Sequence, residues 1–350
     1  MNQEFKGIEI RAVSSCVPKN TIKNDFFESL LSPKEMRAFE KTVGINERRW
    51  TLDNVTASDL GFVAATRLFE GSPELKENIG CLIFLSQTPD YKIPFSSNIL
   101  QTRLNLNKNI LCLDINAGCA GFIQGLNVAF SIASNWHKTK VLLIVAETMS
   151  KIISNKDRST SMLFGDGASA IIIEKTGNDT AEAVFNIFSD GDYADAIKIP
   201  DSGFRNEASI ESFKINDDGN GNFKNSLQLF MDGPGVFDFT LREVAPGIEN
   251  LFQSSQNEIE QVDFFLLHQS NKFIIYQIAS RLNIPKEKVL LNIDKFGNTS
   301  GVSIPLLLSS FKNEIADKKN LLFSGYGVGL NWGNCLLKNA SIKITDIVEI

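Results

Sequence analysis

The sequence predicts an α/β fold assembled from two duplicated halves. Short apolar runs alternate with stretches of helical periodicity along the whole chain, as in strands covered by helices. Four elements also recur in the same order at a nearly constant offset of roughly 180 residues, which a single chance match would not produce.

The expected strands are Ile8–Val13, Cys81–Leu85, Ile110–Leu113, Val141–Ala146, Ala170–Glu174, Phe264–Leu267, Leu321–Ser324 and Cys335–Leu337. Several are continuously apolar rather than alternating, which suits sheets buried on both faces. A helix is expected over Asn116–Ser134; from Ala120 it is apolar nearly all round and so belongs inside. Gly235–Phe252 places Val236, Leu241, Val244, Ile248 and Leu251 at near-helical spacing, and Asn271–Leu282 and Ser303–Glu314 also read as helices.

The repeat pairs Asn78–Ser86 with Glu260–His268 and Ile110–Gly121 with Val289–Gly301. It continues with Val141–Ala146 against Leu321–Ser324, and Ala170–Glu174 against Cys335–Lys338. The halves are therefore placed at 1–175 and 226–350, with 176–225 connecting them. Within the connector, Asp201–Asn225 is the one long polar stretch and is expected to be a loop or hairpin. Its Asp217–Asn222 run lacks the spaced ligands and terminal Glu of a calcium loop and reads as a turn.

The chain has 350 residues, 43% hydrophobic and 22% charged, with a formal net charge of -6. That composition fits a globular protein, and the acidic balance argues against a nucleic-acid backbone as the main ligand. No run of about 20 uncharged apolar residues is present, so no membrane span is expected. The first residues lack the basic-then-apolar form of a signal peptide, which points to a cytoplasmic, reducing location without disulfides.

There are five cysteines and two histidines. No CxxC pair occurs, so a structural zinc site has no support. Cys16, Cys81, Cys112 and Cys335 lie in or beside apolar runs and read as small core residues. Cys119 differs. It sits in Asn116–Phe122 (NAGCAGF), directly after a strand and at the start of a helix. Small neighbours leave room for a substrate, and a helix N-terminus favours thiolate and offers N–H groups to an oxyanion. A packing turn would explain the same residues.

His268 ends the strand Phe264–Leu267, and alone would be structural. His137 lies in a polar loop and reads as solvated surface. Asn298 occupies the repeat's counterpart of the Cys119 loop. Duplicated halves usually pack about a pseudo-twofold, so equivalent loops converge and Cys119, His268 and Asn298 form one coherent site. The turn Ser324–Leu330 (SGYGVGL) is not a dinucleotide motif. It either supplies a second oxyanion donor or is a tight hairpin between strands.

These motifs resemble the beta-ketoacyl-ACP synthase III family of the thiolase superfamily. The matches are NAGCAGF at Asn116–Phe122, FGDGA at Phe164–Ala168, HQSN at His268–Asn271, GNTSGVSIP at Gly297–Pro305 and GYGVGLNWG at Gly325–Gly333. The resemblance implies a five-layered α/β/α/β/α thiolase fold and a homodimer. It implies that Cys119 takes an acyl group from acyl-CoA or acyl-ACP. A malonyl thioester on acyl carrier protein then loses carbon dioxide, with His268 and Asn298 stabilising the enolate. Backbone N–H groups of Cys119 and Val328 would form the oxyanion hole. Arg158, Asn271, Lys272, Ile93, Phe164 and Tyr326 are the expected substrate or carrier contacts, and Phe95 and Phe122 further lining candidates. No metal or organic cofactor is called for.

The C-terminal glycine turn has no second cysteine, unlike thiolases, and Asn298 stands where type I/II synthases have a second His. The segments MDGPGVFDFTL, HQSNKF and GYGVGLNWG resemble type III relatives of specialised pathways rather than housekeeping fatty-acid synthesis. Two other readings start from the same residues: acyl transfer from Cys119 to an alcohol or amine, and a non-catalytic scaffold.

Overall fold

The computed structural model describes residues 2–136 and 139–350. His137 therefore lies outside the described residues. The main strands are β1 (Asn2–Lys6), β2 (Ile8–Val17), β3 (Ile79–Leu85), β4 (Leu111–Ile115), β5 (Lys140–Glu147) and β6 (Gly167–Lys175). They continue with β7 (Glu182–Ser189), β8 (Phe264–Leu267), β9 (Leu321–Gly327) and β10 (Asn331–Lys338). The principal helices are α1 (Pro33–Thr42), α2 (Ala57–Glu70), α3 (Ser96–Arg103), α4 (Gly121–Asn135), α5 (Gly233–Ser255), α6 (Lys272–Arg281) and α7 (Ser303–Ser310).

The two sheets share one topology. The first runs β2-β6-β5-β3-β4 and the second β7-β10-β9-β8. In each, the two strands preceding a site loop pair in parallel and the others antiparallel: β3 with β5 and β4, and β8 with β9. The counterpart of β4 is reduced to a parallel bridge between Phe265 and Val289. The duplication read from sequence is thus also a duplication of strand order.

The layers follow from where the apolar residues fall. Phe122, Ile123, Leu126 and Phe130 of α4 and Leu306 to Leu308 of α7 are buried between the sheets, with β3 and β5 on one side and Phe323 and Cys335 on the other. That explains why α4 is apolar nearly all round: both of its faces meet a sheet. Leu60, Ala64 and Leu68 of α2 cover the outer face of the first sheet. Val244, Ile248 and Leu251 of α5, with Ile274, Ile275 and Ile278 of α6, cover the outer face of the second. The order is α/β/α/β/α, the thiolase fold.

Three boundaries differ from the sequence reading. The stretch 176–225 contains β7, a full member of the second sheet, so that sheet begins before residue 226. β7 is hidden in sequence because Asn186 interrupts its apolar run; the side chain is buried and bonds Gly247 O and Asn334. The termini are also exchanged: β1 pairs with β7 in the second sheet, while Lys343–Ile344 and Val348–Glu349 pair with β2 in the first. The helix expected over Ser303–Glu314 breaks at Ser310, with a short turn from Lys312 to Ile315.

The polar stretch 201–225 is mostly irregular and ends in a hairpin, Asn216–Asp217 against Phe223–Lys224. Asp217 and Asp218 accept from the backbone N–H of Gly219 and Asn220, which is how such carboxylates make turns.

Candidate active site

Three loops at the ends of β4, β8 and the Val289 segment open into one cavity of about 560 Å³. Cys119, His268 and Asn298 all line it. The convergence expected from the repeat is therefore the observed arrangement.

Cys119 follows β4 and precedes α4, and its Sγ lies 3.8 Å from Ser300 Oγ. Its surroundings push the thiol up to about 12, mainly through burial. This corrects the expectation that the helix terminus would hold a thiolate: loss of hydration outweighs the dipole. Gly327 of β9 stands against this sulfur. A Cβ there would lie 2.6 Å from Cys119 Cβ and 3.2 Å from Sγ, so only glycine lets the strand approach.

His268 is buried, and its Nδ1 lies 2.7 Å from Ser303 Oγ at the start of α7. Burial lowers its pKa to about 3, so the ring is neutral. The Tyr326 ring packs edge-on at 5.2 Å, and the Tyr326 hydroxyl bonds Ser270 and His268 O. With Nδ1 engaged, Nε2 is the nitrogen His268 offers to a ligand.

Asn298 is held from both sides. Its N–H donates to Leu163 O and its C=O accepts from Gly165 N. The Asn298 Oδ1 accepts from Ser300 N at 2.8 Å, which leaves the amide N–H groups as what Asn298 offers the cavity. The FGDGA loop is thus a seat for Asn298. Gly165 is required there, since a Cβ would meet Phe296 O at 2.1 Å. Asp166 is buried and accepts from Thr51 and Ser150, a structural role.

The remaining expectations divide. Phe164, Tyr326 and Asn271 line the cavity. Asn271 also caps α6, its Oδ1 accepting from Phe273 N and Ile274 N. Lys272 is not on the wall; its stem packs over Gly44. Arg158 also stays off the wall, bound by Glu35 at 2.8 Å and packed beside Gly221 of the hairpin. Glu35 is held down at about 2 by bonds from Ser32 and Arg158. Ile93 is 84% exposed and Phe95 49%, so neither lines the cavity of its own chain. Phe122 is in the central core against Phe323. Val328 lies in the three-residue turn of the β9–β10 hairpin, and its side chain lines a neighbouring cavity behind Gly118.

Sequence reasoning missed much of the wall. Ile197, Phe230, Met231, Val236, Phe237 and Ile274 make it apolar. Asp218, Asn222 and Lys224 come from the hairpin, with Lys224 tied to buried Asp157 at 3.0 Å. The signal for Phe230–Phe237 was the MDGPGVF run, where Asp232 caps α5 by accepting from Gly235 N.

A thiolase fold with Cys, His and Asn gathered on an apolar cavity defines an acyl-transferring condensing enzyme. Family models for the 3-oxoacyl-[acyl-carrier-protein] synthase III N-terminal and C-terminal regions match residues 113–191 and 252–339. A beta-ketoacyl-[acyl-carrier-protein] synthase III from Aliarcobacter butzleri is 32% identical over 95% of this chain and 98% of its own. One from Clostridium perfringens is 34% identical over 92% and 96%. Among solved structures, a 3-oxoacyl-(acyl-carrier protein) synthase from Burkholderia xenovorans superposes with a TM-score of 0.92 at 34% identity, covering 100% of this chain and 99% of that one. One from Thermus thermophilus gives 0.80 at 30% identity, over 94% and 98%. The chain belongs to the beta-ketoacyl-ACP synthase III family. No helix among the described residues is long and apolar enough to cross a membrane.

Proposed function

We propose that Cys119 accepts an acyl group from acyl-CoA or acyl-ACP and passes it to the carbanion left when malonyl-ACP loses carbon dioxide, giving a 3-oxoacyl-ACP. One observation carries this: Cys119, His268 and Asn298 share one cavity, with His268 Nδ1 and Asn298 Oδ1 both turned back into the protein. When the Ser303 hydroxyl donates to Nδ1, Nε2 carries the ring hydrogen. Two neutral donors, Nε2–H and Nδ2–H, then meet the thioester oxygen, which becomes negative as the enolate forms. Backbone N–H groups of Cys119 and Val328 receive the oxyanion of the condensation step. The apolar wall takes the acyl chain, and the chemistry runs without metal or organic cofactor. The retained Asn298 favours condensation over simple acyl transfer, which has less need of an enolate-stabilising pair.

The working unit is a homodimer. β4 ends its sheet with an outer edge unpaired among the described residues, and Leu111 on it is 43% exposed. Such an edge is ordinarily covered by another strand. Carrier contacts are assigned to Arg158, Asn271 and Lys272 at and beside the mouth.

The test is intact-protein mass spectrometry with a panel of acyl-CoAs and acyl-ACPs. The expected result is a mass gain with wild type that is absent in Cys119→Ala. Malonyl-ACP should then discharge it with release of carbon dioxide. Mass gain retained by Cys119→Ala, or discharge without carbon dioxide, would overturn the assignment.

A further inference from the structure

Behind Cys119, on the side away from the substrate cavity, lies a buried carboxyl that the proposed mechanism does not use. Glu147 ends β5 and is fully buried. It accepts from Gln87 N at 3.1 and 3.2 Å, from Thr88 Oγ1 at 3.0 Å and from Ser86 Oγ at 3.4 Å. Its remaining neighbour is Ser300, whose Oγ donates toward Glu147 Oε1 at 3.4 Å and toward Gln87 Oε1 at 3.5 Å. The same Ser300 Oγ accepts from Cys119 Sγ at 3.8 Å. A chain of exchangeable hydrogens therefore runs from the nucleophile sulfur through Ser300 to Glu147. These contacts are long at rest, as acid–base contacts commonly are before substrate is bound.

We propose that Glu147, acting through Ser300, takes the proton from Cys119 during acylation and returns it during condensation. This rests on the reading of Cys119 as the nucleophile. In acylation, the Cys119 S–H proton moves to Ser300 Oγ while the Ser300 proton moves to Glu147 Oε1. The Cys119 sulfur bonds the thioester carbonyl carbon, the donor's C–S bond breaks, and its thiolate leaves and takes a proton from water. In condensation, the malonyl C–C bond to the carboxylate breaks, carbon dioxide departs, and the carbanion bonds the acyl carbon. The Cys119 S–C bond then breaks, and the sulfur leaves with the electron pair. It recovers its proton from Glu147 by the same route. Each cycle starts and ends with a Cys119 thiol and a Glu147 carboxylate.

His268 is not suited to this task, because it is a neutral ring with Nδ1 already engaged. Glu147 is suited. Burial raises it to about 8, against the bonds from Gln87, Thr88, Ser86 and Ser300 that lower it, so both of its forms exist near neutral pH. Cys119 is the titratable group that faces it across Ser300.

The test is the pH dependence of Cys119 alkylation by iodoacetamide, followed by intact mass, in wild type, Glu147→Gln, Ser300→Ala and the double variant. A relay and a purely structural carboxylate predict opposite signs. A buried carboxylate that only repels a thiolate makes Glu147→Gln react faster. The relay makes Glu147→Gln and Ser300→Ala each slower by roughly a hundredfold. It also removes the rise in rate that wild type shows as Glu147 ionises, and it makes the double variant no slower than either single one. Faster or unchanged alkylation in both single variants would overturn the relay. If Glu147→Gln fails to fold, Ser300→Ala decides alone, since it breaks the chain and leaves the carboxyl's other three partners. Alkylation that persists in Cys119→Ala would instead overturn the nucleophile reading, so the two failures are distinguishable.

Discussion

His268 Nδ1 and Ser303 Oγ lie 2.7 Å apart, joining the end of one sheet strand to the first turn of a central helix. Ser303 is itself buried. The contact fixes the ring in one orientation and sets which nitrogen faces the cavity.

Removing that hydroxyl should therefore separate the half-reactions. In Ser303→Ala, acyl-enzyme formation stays near the wild-type rate, while condensation falls about tenfold, the lower end of what losing an outer partner of a liganding His costs. Intact mass reports the first, and carbon dioxide release from malonyl-ACP the second. Equal loss in both would contradict the role given to Ser303.

Asn298→Ala should separate them more sharply. Loss of one donor to a developing oxyanion costs roughly a hundredfold or more. Acylation of Cys119 should survive, and carbon dioxide release should fall by that factor. The Ser300 N–H loses its acceptor in this variant, so alkylation of Cys119 should be measured alongside.

Gly327→Ala places a methyl carbon against Cys119 Cβ. Overpacking of this kind costs about 1–3 kcal/mol. The expected outcome is a lower unfolding midpoint together with slower acylation. Acylation at the wild-type rate would show that β9 can retreat from the sulfur.

The buried neutral His268 also links stability to pH. Its ordinary value is 6.5 and its folded value about 3, so between these the unfolded chain binds a proton that the native ring refuses. The contribution is complete above 6.5 and is lost as pH falls toward 3. Urea midpoints should drop between about pH 7 and about pH 5, and His268→Gln should reduce that drop. An identical drop in the variant would assign the acid sensitivity to other groups.

Cys119 and Asn298 were legible because each sits in a glycine-bordered loop after an apolar run, and the repeat gave them equivalent positions. His268 was legible from its place at the strand end. Glu147 was not, because a Glu closing an apolar strand usually marks the point where the chain meets water. Here the strand end is covered by the Ser86–Thr88 loop and Ser300. Apolarity also misled at Ile93, since composition does not say which apolar side chains face solvent. α1 went unread because none of its residues is buried; it stands on its Ser32–Glu35 capping box rather than on a core face. β7 went unread because a polar letter, Asn186, holds a core position by bonding within it.

The exchange of the two chain ends has a mechanical consequence. Residues 2–6 are gripped by the second half and residues 343–349 by the first. Each half therefore holds the other's loose end, like two hands clasped at the wrists. A cut in the irregular stretch around 201–225 would leave both fragments bound to each other. Neither half can be peeled away while the other stays intact, and the molecule should yield as one piece.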